Sequence, residues 1–263
     1  MQTAVVTGAG RGFGREIARR LAQRGYAVLA TDVDEQAARE TAELAGASCW
    51  SMALDVRDPE AHRAAARAAA EKGELRVWVN NAGVLRTGKA WSHSDDEVNL
   101  MVGANLLGVI WGSRSAVDAM RTGGGEILNL ASMSAYGPVP GLAIYAATKH
   151  SVLGFSSSLQ GDLDSEGIPI RVHALCPDAA NTGMVGENAA DADASILFSG
   201  GLLDVDEVVD AGMAMLGTKS IVRSLPRSRG LLTRSLAPFP RVGLPIIRAL
   251  GKSGDRGRRR QAP

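Results

Sequence analysis

Cysteine is nearly missing from this chain: Cys49 and Cys176 are the only two in 263 residues. They stand far apart, so neither a disulfide framework nor a metal-ligand spacing of cysteines is present, and a reduced compartment is the natural setting. The four histidines, His62, His93, His150 and His173, show no ligand spacing, and no metal is expected. Aromatic residues make up 4% of the chain, which leaves Ala, Val, Leu and Ile to fill the interior. No basic flank with an apolar run opens the sequence, and nowhere do about 18 apolar residues follow one another. The expectation is a soluble, cytoplasmic protein. At this length and 45% hydrophobic composition, one large core is expected.

Charge of one sign is scarce in the last part of the chain. Residues 219–263 carry 12 Lys and Arg against a single acid, net +11, whereas residues 1–218 carry 17 against 27, net −10. The overall charge of +1 hides this division. A main domain over 1–225, with a substrate lid at about 183–203, is therefore expected to precede a basic, apolar C-terminal extension over 226–263.

What is abundant is alternation. The runs "TAVVT", "AVLAT", "SCWSMAL", "LRVWVN", "EILNLAS" and "IPIRVHALC" read as strands, and "SIVRSL" as a last one. Helical patterns lie between them, at 13–24 closed by Gly25, at 59–72 opened by Asp58 with Pro59 in the first turn, and at about 97–121 and 143–166. Parallel strands need covering crossovers, so this order predicts an α/β fold with a doubly wound, Rossmann-type parallel sheet in three layers.

"VVTGAGRGFGREIA" joins the first strand to the first helix. Gly8, Gly12 and Gly14 let the backbone turn sharply and approach a ligand, and the helix start offers unpaired N–H groups to a pyrophosphate. Asp32 ends the second strand, where a carboxylate accepts hydrogen bonds from ribose hydroxyls and repels a 2′-phosphate, favouring NAD. Asp34 is the better helix cap. Arg11 pulls the other way, as a contact for a 2′-phosphate, and leaves NADP as the alternative.

"IYAATKH" places Tyr145 and Lys149 four residues apart, on one helix face. Alone, the pair is better read as a half-buried Tyr beside a snorkelling Lys. Together, "TGAGRGFG", "NNAG" at 80–83, Asn105, Ser132 and "YAATK", with the Asp55 and Val56 pair after the third strand, stand in the order and spacing of the classical short-chain dehydrogenase/reductase family. The chain resembles that family from residue 3 to about 182.

The resemblance implies an oxidoreductase that moves a hydride between NAD(H) and a secondary alcohol or ketone. It makes Tyr145 the general acid/base. Lys149 becomes both its electrostatic partner and an anchor for the nicotinamide ribose, Ser132 the donor to the substrate oxygen, with Ser134 a nearby alternative, and Asn105 the helix-kinking member of a proton relay, or else a buried amide satisfied by backbone. Gly8, Arg11, Gly12, Phe13, Gly14, Asp32, Asp55, Val56, Asn81, Ala82, Gly83, Pro177 and Thr182 would join Tyr145 and Lys149 in holding the cofactor. A free Tyr titrates near 10, and the charges of Lys149 and of an oxidised nicotinamide should pull Tyr145 down toward neutral pH. A protein that senses the cofactor without turnover is the competing class, and these intact residues argue against it.

Asp178 stands where the family has Gly after Pro177, which asks whether Asp tolerates a positive φ there or faces the substrate. Met184, Val185, Ile196, Leu197 and Phe198 are expected to form an oily lid underside, and Met133, Tyr136, Val139 and Leu142 the facing wall, which suits a lipophilic substrate. The resemblance also implies a homo-oligomer, tetramer or dimer, built on the two long helices with Leu100, Val109, Trp111, Leu153 and Phe155. For the basic tail, three readings compete: an arm over the pocket or a neighbouring subunit, peripheral contact with an anionic membrane, and nucleic acid, the last disfavoured by the acidic body.

Overall fold

The strand segments are apolar at consecutive positions rather than at alternate ones, which requires both faces of the sheet to be covered. In the computed structural model, which describes residues 1–261, they are. Val5, Leu29, Trp78 and Ile127 lie on one face and Ala4, Val6, Val28, Val79 and Leu128 on the other, all fully buried. Strands β1 (Gln2–Thr7), β2 (Ala27–Asp32), β3 (Trp50–Ala53), β4 (Glu74–Asn80), β5 (Gly125–Leu130), β6 (Ile170–Pro177) and β7 (Val222–Leu225) form one parallel sheet in the order β3-β2-β1-β4-β5-β6-β7. The order reverses between β1 and β4, and at such a reversal the carboxyl ends of the strands form the crevice in which sheets of this kind bind ligands.

The helices are α1 (Gly12–Gln23), α2 (Glu35–Ala45), α3 (Pro59–Lys72), α4 (Asp95–Val102), α5 (Gly108–Met120), α6 (Ala143–Ser165), α7 (Gly183–Gly186), α8 (Val205–Met213), α9 (Arg227–Leu236) and α10 (Pro240–Gln261). Asp34 caps α2 by accepting from the Ala37 N–H, so Asp32 is left for other work. The helix expected at 97–121 runs from 95 to 120 but is interrupted by one π turn, Gly103–Leu107, between α4 and α5. By length and composition the span Asp95–Met120 would cross a bilayer, but 56% of its most apolar window is buried, because α5 packs on α3 and β4. Val109 is buried, and Leu153 and Phe155 pack, partly exposed, against the same cluster.

Beyond β7 the chain folds back over the 3-10 turn Ala192–Phe198 of the lid segment, and α10 runs along that turn. Small residues allow the approach. A Cβ on Gly254 would overlap the Ser195 carbonyl, and one on Gly257 would stand 2.9 Å from the Phe198 carbonyl oxygen. Ser195 Oγ donates to Asp255, and Arg258 donates to the carbonyls of Ala189 and Ala190 at 3.2 and 3.1 Å.

Candidate active site

The glycine loop is shaped by the absence of side chains. Gly8 and Gly12 have φ of +62° and +56°, the left-handed region that only glycine enters freely. A Cβ on Gly8 would lie 2.7 Å from Ala82 Cα, and one on Gly14 would overlap the Gly8 carbonyl. Asn81 fixes this packing by donating from Nδ2 to the carbonyls of Thr7 and Gly8, at 3.0 and 2.9 Å. Thr7 Oγ1 accepts the N–H groups of Asn81 and Ala82 in return. Thr7 was not anticipated from the sequence; its position at the end of β1 was the available signal.

The first turn of α1 contains no acidic residue, and Arg11 at its N-cap makes no capping hydrogen bond, so its N–H groups and positive dipole end remain available to an anion. Across the groove Thr182 Cγ2 would lie 3.9 Å from a Cβ on Gly12, leaving a cradle that a side chain at position 12 would begin to fill. This donor set fits the pyrophosphate of a dinucleotide. Asp32 closes the adenosine end: its carboxylate accepts from the Gly10 N–H at 2.9 Å and the Asp34 N–H at 3.1 Å. Two N–H bonds leave further lone pairs for ribose hydroxyls.

Three expected cofactor contacts are otherwise engaged. Arg11 reaches over the groove to form an ion pair with Glu187 of the lid segment. Asp55 is held by Arg57 through Nε, Nη2 and the backbone N–H, which keeps its carboxyl below the usual range and occupies both oxygens. Phe13 turns away from the groove and packs on the core beneath α1. Val56 is buried and backs onto Gly108, while its carbonyl accepts from His62 Nε2–H at 2.9 Å.

At the reacting end, Asn105 sits in the π turn, a local widening common at functional sites. Its Oδ1 accepts the Val84 N–H at 2.7 Å and its Nδ2 donates to the Val84 carbonyl at 2.8 Å, so the side chain pins the segment after "NNAG". Gly83 makes room: a Cβ there would lie 3.0 Å from Asn105 Oδ1 and 3.7 Å from Lys149 Nζ. Lys149, buried, donates from Nζ to the Leu130 carbonyl at 2.7 Å and lies 5.7 Å from the centre of the Tyr145 ring. Ser132 follows β5 and caps the turn Met133–Ala135; its Oγ accepts the Ser134 N–H at 3.1 Å and bonds Ser134 Oγ at 3.2 Å. The structure thus brings Asn105, Ser132, Tyr145 and Lys149 to one end of the crevice.

The electrostatics correct one expectation. Burial pushes the Tyr145 phenol up to about 12, opposed only by the Ser132 hydroxyl, and Lys149 does not pull it down. Burial also lowers the Lys149 ammonium to about 8. The chain's own groups therefore hold the phenol protonated, and the positive charge of an oxidised nicotinamide is the part of the expected depression that they do not supply.

The substrate walls also differ from expectation. Met133, Tyr136 and Leu142 are buried, the first two in a cluster with Cys176, and Tyr136 Oη shares a 2.8 Å hydrogen bond with Ser224 Oγ. These are core residues, not pocket wall. Val185 and Phe198 are buried in a small core within the lid segment, together with Ala189 and Ala194. Met184, Ile196, Leu197 and Val139 stay partly exposed. The lid is tied down by Thr87 to Asn188 and Asp191, by Lys89 to Asp193, and by Arg229 Nη2, which donates to Ser199 Oγ at 2.8 Å.

Asp178 answers its question differently from either reading. Among the described residues none other than glycine has a positive φ, so the turn after Pro177 needs no left-handed backbone. Its carboxylate pairs with Arg229 of α9, Oδ2 to Nη1 at 2.6 Å. Arg229 was not anticipated as part of the site; the acid standing in a position usual for glycine was its signal.

Comparison with known proteins agrees with this geometry. The family model described as short chain dehydrogenase matches residues 2–193. "Probable oxidoreductase EphD" of Mycobacterium tuberculosis is 36% identical over 186 residues, 68% of this chain, although the match spans only 31% of that longer protein. "Oxidoreductase UcpA" of Escherichia coli K12 is 35% identical over 70% of this chain and 71% of its own. "3-oxoacyl-[acyl-carrier-protein] reductase FabG" of Salmonella typhimurium is 36% identical over 74% and 80% respectively. Among solved structures, a short chain dehydrogenase/reductase from Burkholderia phymatum in complex with NAD superposes with a TM-score of 0.82 at 28% identity, covering 89% of this chain and 92% of that one.

Proposed function

This chain belongs to the short-chain dehydrogenase family, and we propose that it is an oxidoreductase that exchanges a hydride between NAD(H) and a lipophilic secondary alcohol or its ketone, with Tyr145 as general acid/base. The observation that carries the proposal is the convergence of Tyr145, Lys149, Ser132 and Asn105 at the end of a crevice whose other end is the glycine loop.

The cofactor, when bound, supplies or accepts the hydride. The residues do the rest. Ser132 holds the substrate oxygen and stabilises its developing charge. In the reducing direction Tyr145 gives its proton to that oxygen, and in the oxidising direction it takes the hydroxyl proton while the carbon-bound hydrogen leaves as hydride. Lys149, held by the Leu130 carbonyl, positions the nicotinamide ribose. Asn105 keeps the segment around Gly83 and Val84 in place.

NAD over NADP is supported by Asp32, whose negative charge opposes a 2′-phosphate, and by Arg11, which is engaged with Glu187. A lipophilic substrate is supported by the partly exposed Met184, Ile196, Leu197 and Val139. The name of the Salmonella relative, which describes a ketone on an acyl chain, points the same way. A homo-oligomer built through α4 to α6 belongs to the same proposal.

The test is direct titration with NADH and NADPH, followed by a turnover screen with NAD and secondary alcohols of increasing chain length. Tighter binding of NADH and a specificity constant that climbs with chain length are expected. Tighter NADPH binding would overturn the cofactor assignment, and a preference for short polar alcohols would overturn the substrate class.

A further inference from the structure

The arm formed by α9 and α10 covers the lid and leaves a set of apolar side chains bare. Gly254 and Gly257, in the C-terminal half of α10, meet the turn Ala192–Phe198, and Gly243 packs on Leu236. Val242 is 55% exposed, Ile246 41% and Leu250 37%, and the adjoining segment adds Leu231, Leu232 and Phe239, at 67%, 59% and 61%. At about 100° per residue, Val242, Ile246 and Leu250 fall within a stripe ~80° wide, and Arg241, Arg248, Lys252 and Arg259 fall within a second stripe ~40° wide, centred ~140° from it.

Charge decides what this surface fits. The extension could have folded back to neutralise the acidic body, but its one ion pair with the body among the described residues is that of Arg229 with Asp178, and its other ties include close backbone approach at glycines and the hydrogen bonds of Arg229, Asp255 and Arg258 to the lid segment. Arg241, Arg248, Lys252, Arg256 and Arg259 make no ion pair among the described residues. Asp255, the one acid in residues 219–263, is engaged with Ser195 and Arg258. An exposed apolar stripe on a helix that carries a second stripe of unpaired cations matches a bilayer interface: apolar side chains reach the acyl boundary while the long Arg and Lys side chains meet anionic headgroups. A protein partner would need an acidic rim and an apolar centre in the same register.

We propose that the exposed apolar side chains of α9 and α10, with the unpaired cations of α10, dock on an anionic lipid bilayer. Because α10 lies along the lid turn, docking holds the lid against the surface in which a lipophilic substrate resides. The surface does not depend on which substrate or cofactor is used.

The experiment is co-sedimentation of the full chain with vesicles of phosphatidylcholine alone, or of phosphatidylcholine with about a third phosphatidylglycerol, alongside light scattering. The variants are Val242→Glu with Ile246→Glu and Leu250→Glu, and separately Arg241→Gln with Arg248→Gln and Lys252→Gln. All six positions are exposed, so both variants should fold, and circular dichroism checks this. Wild type is expected to bind the anionic vesicles at least tenfold more tightly than the neutral ones, to be released by salt, and to lose at least tenfold in affinity in each variant. Equal binding to both vesicle types, absence of binding, or unaltered binding by the Glu variant would overturn the proposal. So would a smaller oligomer in the Glu variant, which would place the stripe between copies.

Discussion

Asp178 Oδ2 and Arg229 Nη1 stand 2.6 Å apart and join the end of β6 to the first turn of α9. Arg229 also holds Ser199, so one guanidinium connects the sheet, the lid segment and the C-terminal arm.

Replacing only the arginine should therefore cost more than replacing both partners. Arg229→Met leaves a largely buried carboxyl unpaired, at about 1–3 kcal/mol in urea denaturation. Adding Asp178→Asn should recover part of that loss. Burial already holds the Asp178 carboxyl above its usual range, and Arg229 opposes the rise. A raised folded-state value costs stability as pH climbs through it, so the deficit of Arg229→Met should be greatest at neutral pH and shrink as pH falls through the carboxylate range. A pH-independent deficit would show that the pair is not its source.

Lys149 gives a second prediction through linkage. Its folded value is about 8 against 10.5 for the free group, because burial disfavours the charge. Between those values the unfolded chain binds more protons, so this group makes stability rise with pH, and its cost is fully present below about 8. Lys149→Met should raise Tm at pH 7 by several degrees, corresponding to at most ~3 kcal/mol less the ~1 kcal/mol of the bond to Leu130. The gain should vanish toward pH 10, and activity should be lost throughout. Thermal scans across that range check the sign.

Asp32 acts on the cofactor and on the loop together, since its carboxylate holds the Gly10 N–H. Asp32→Ala should weaken NADH binding about tenfold and narrow the preference over NADPH. Asp32→Asn, which can still accept from Gly10, should change the preference with a smaller loss of NADH affinity. Fluorescence titration separates the two effects; an unchanged ratio in both variants would remove Asp32 from cofactor selection.

For assembly, the expected outcome is a tetramer or dimer in light scattering at micromolar concentration. A monomer would contradict it.

The sheet was legible because its signals are local. Continuous apolar runs such as "TAVVT" and "LRVWVN" require a two-sided burial that only a covered parallel sheet supplies, and Asp34 and Asp58 announced their helices by capping them. Gly8, Gly12 and Gly14 were legible for the same reason, since backbone shape is written in the missing side chains. What the sequence did not disclose depends on chain ends meeting. Arg57 taking both oxygens of Asp55, Arg11 crossing to Glu187, and Arg229 reaching Asp178 each depend on where a long side chain turns. Met133 and Tyr136 were apolar residues between two reactive ones, and pattern alone does not separate a pocket wall from a core. The direction of the Tyr145 shift was missed because burial is a property of the whole fold.

The central claim is that Tyr145 moves the substrate proton, and the direct measurement compares turnover and NADH affinity in wild type and Tyr145→Phe. Removing one hydroxyl should leave NADH affinity within about threefold and reduce kcat by at least 1,000-fold. A Tyr145→Phe enzyme that turns over at the wild-type rate would contradict the account.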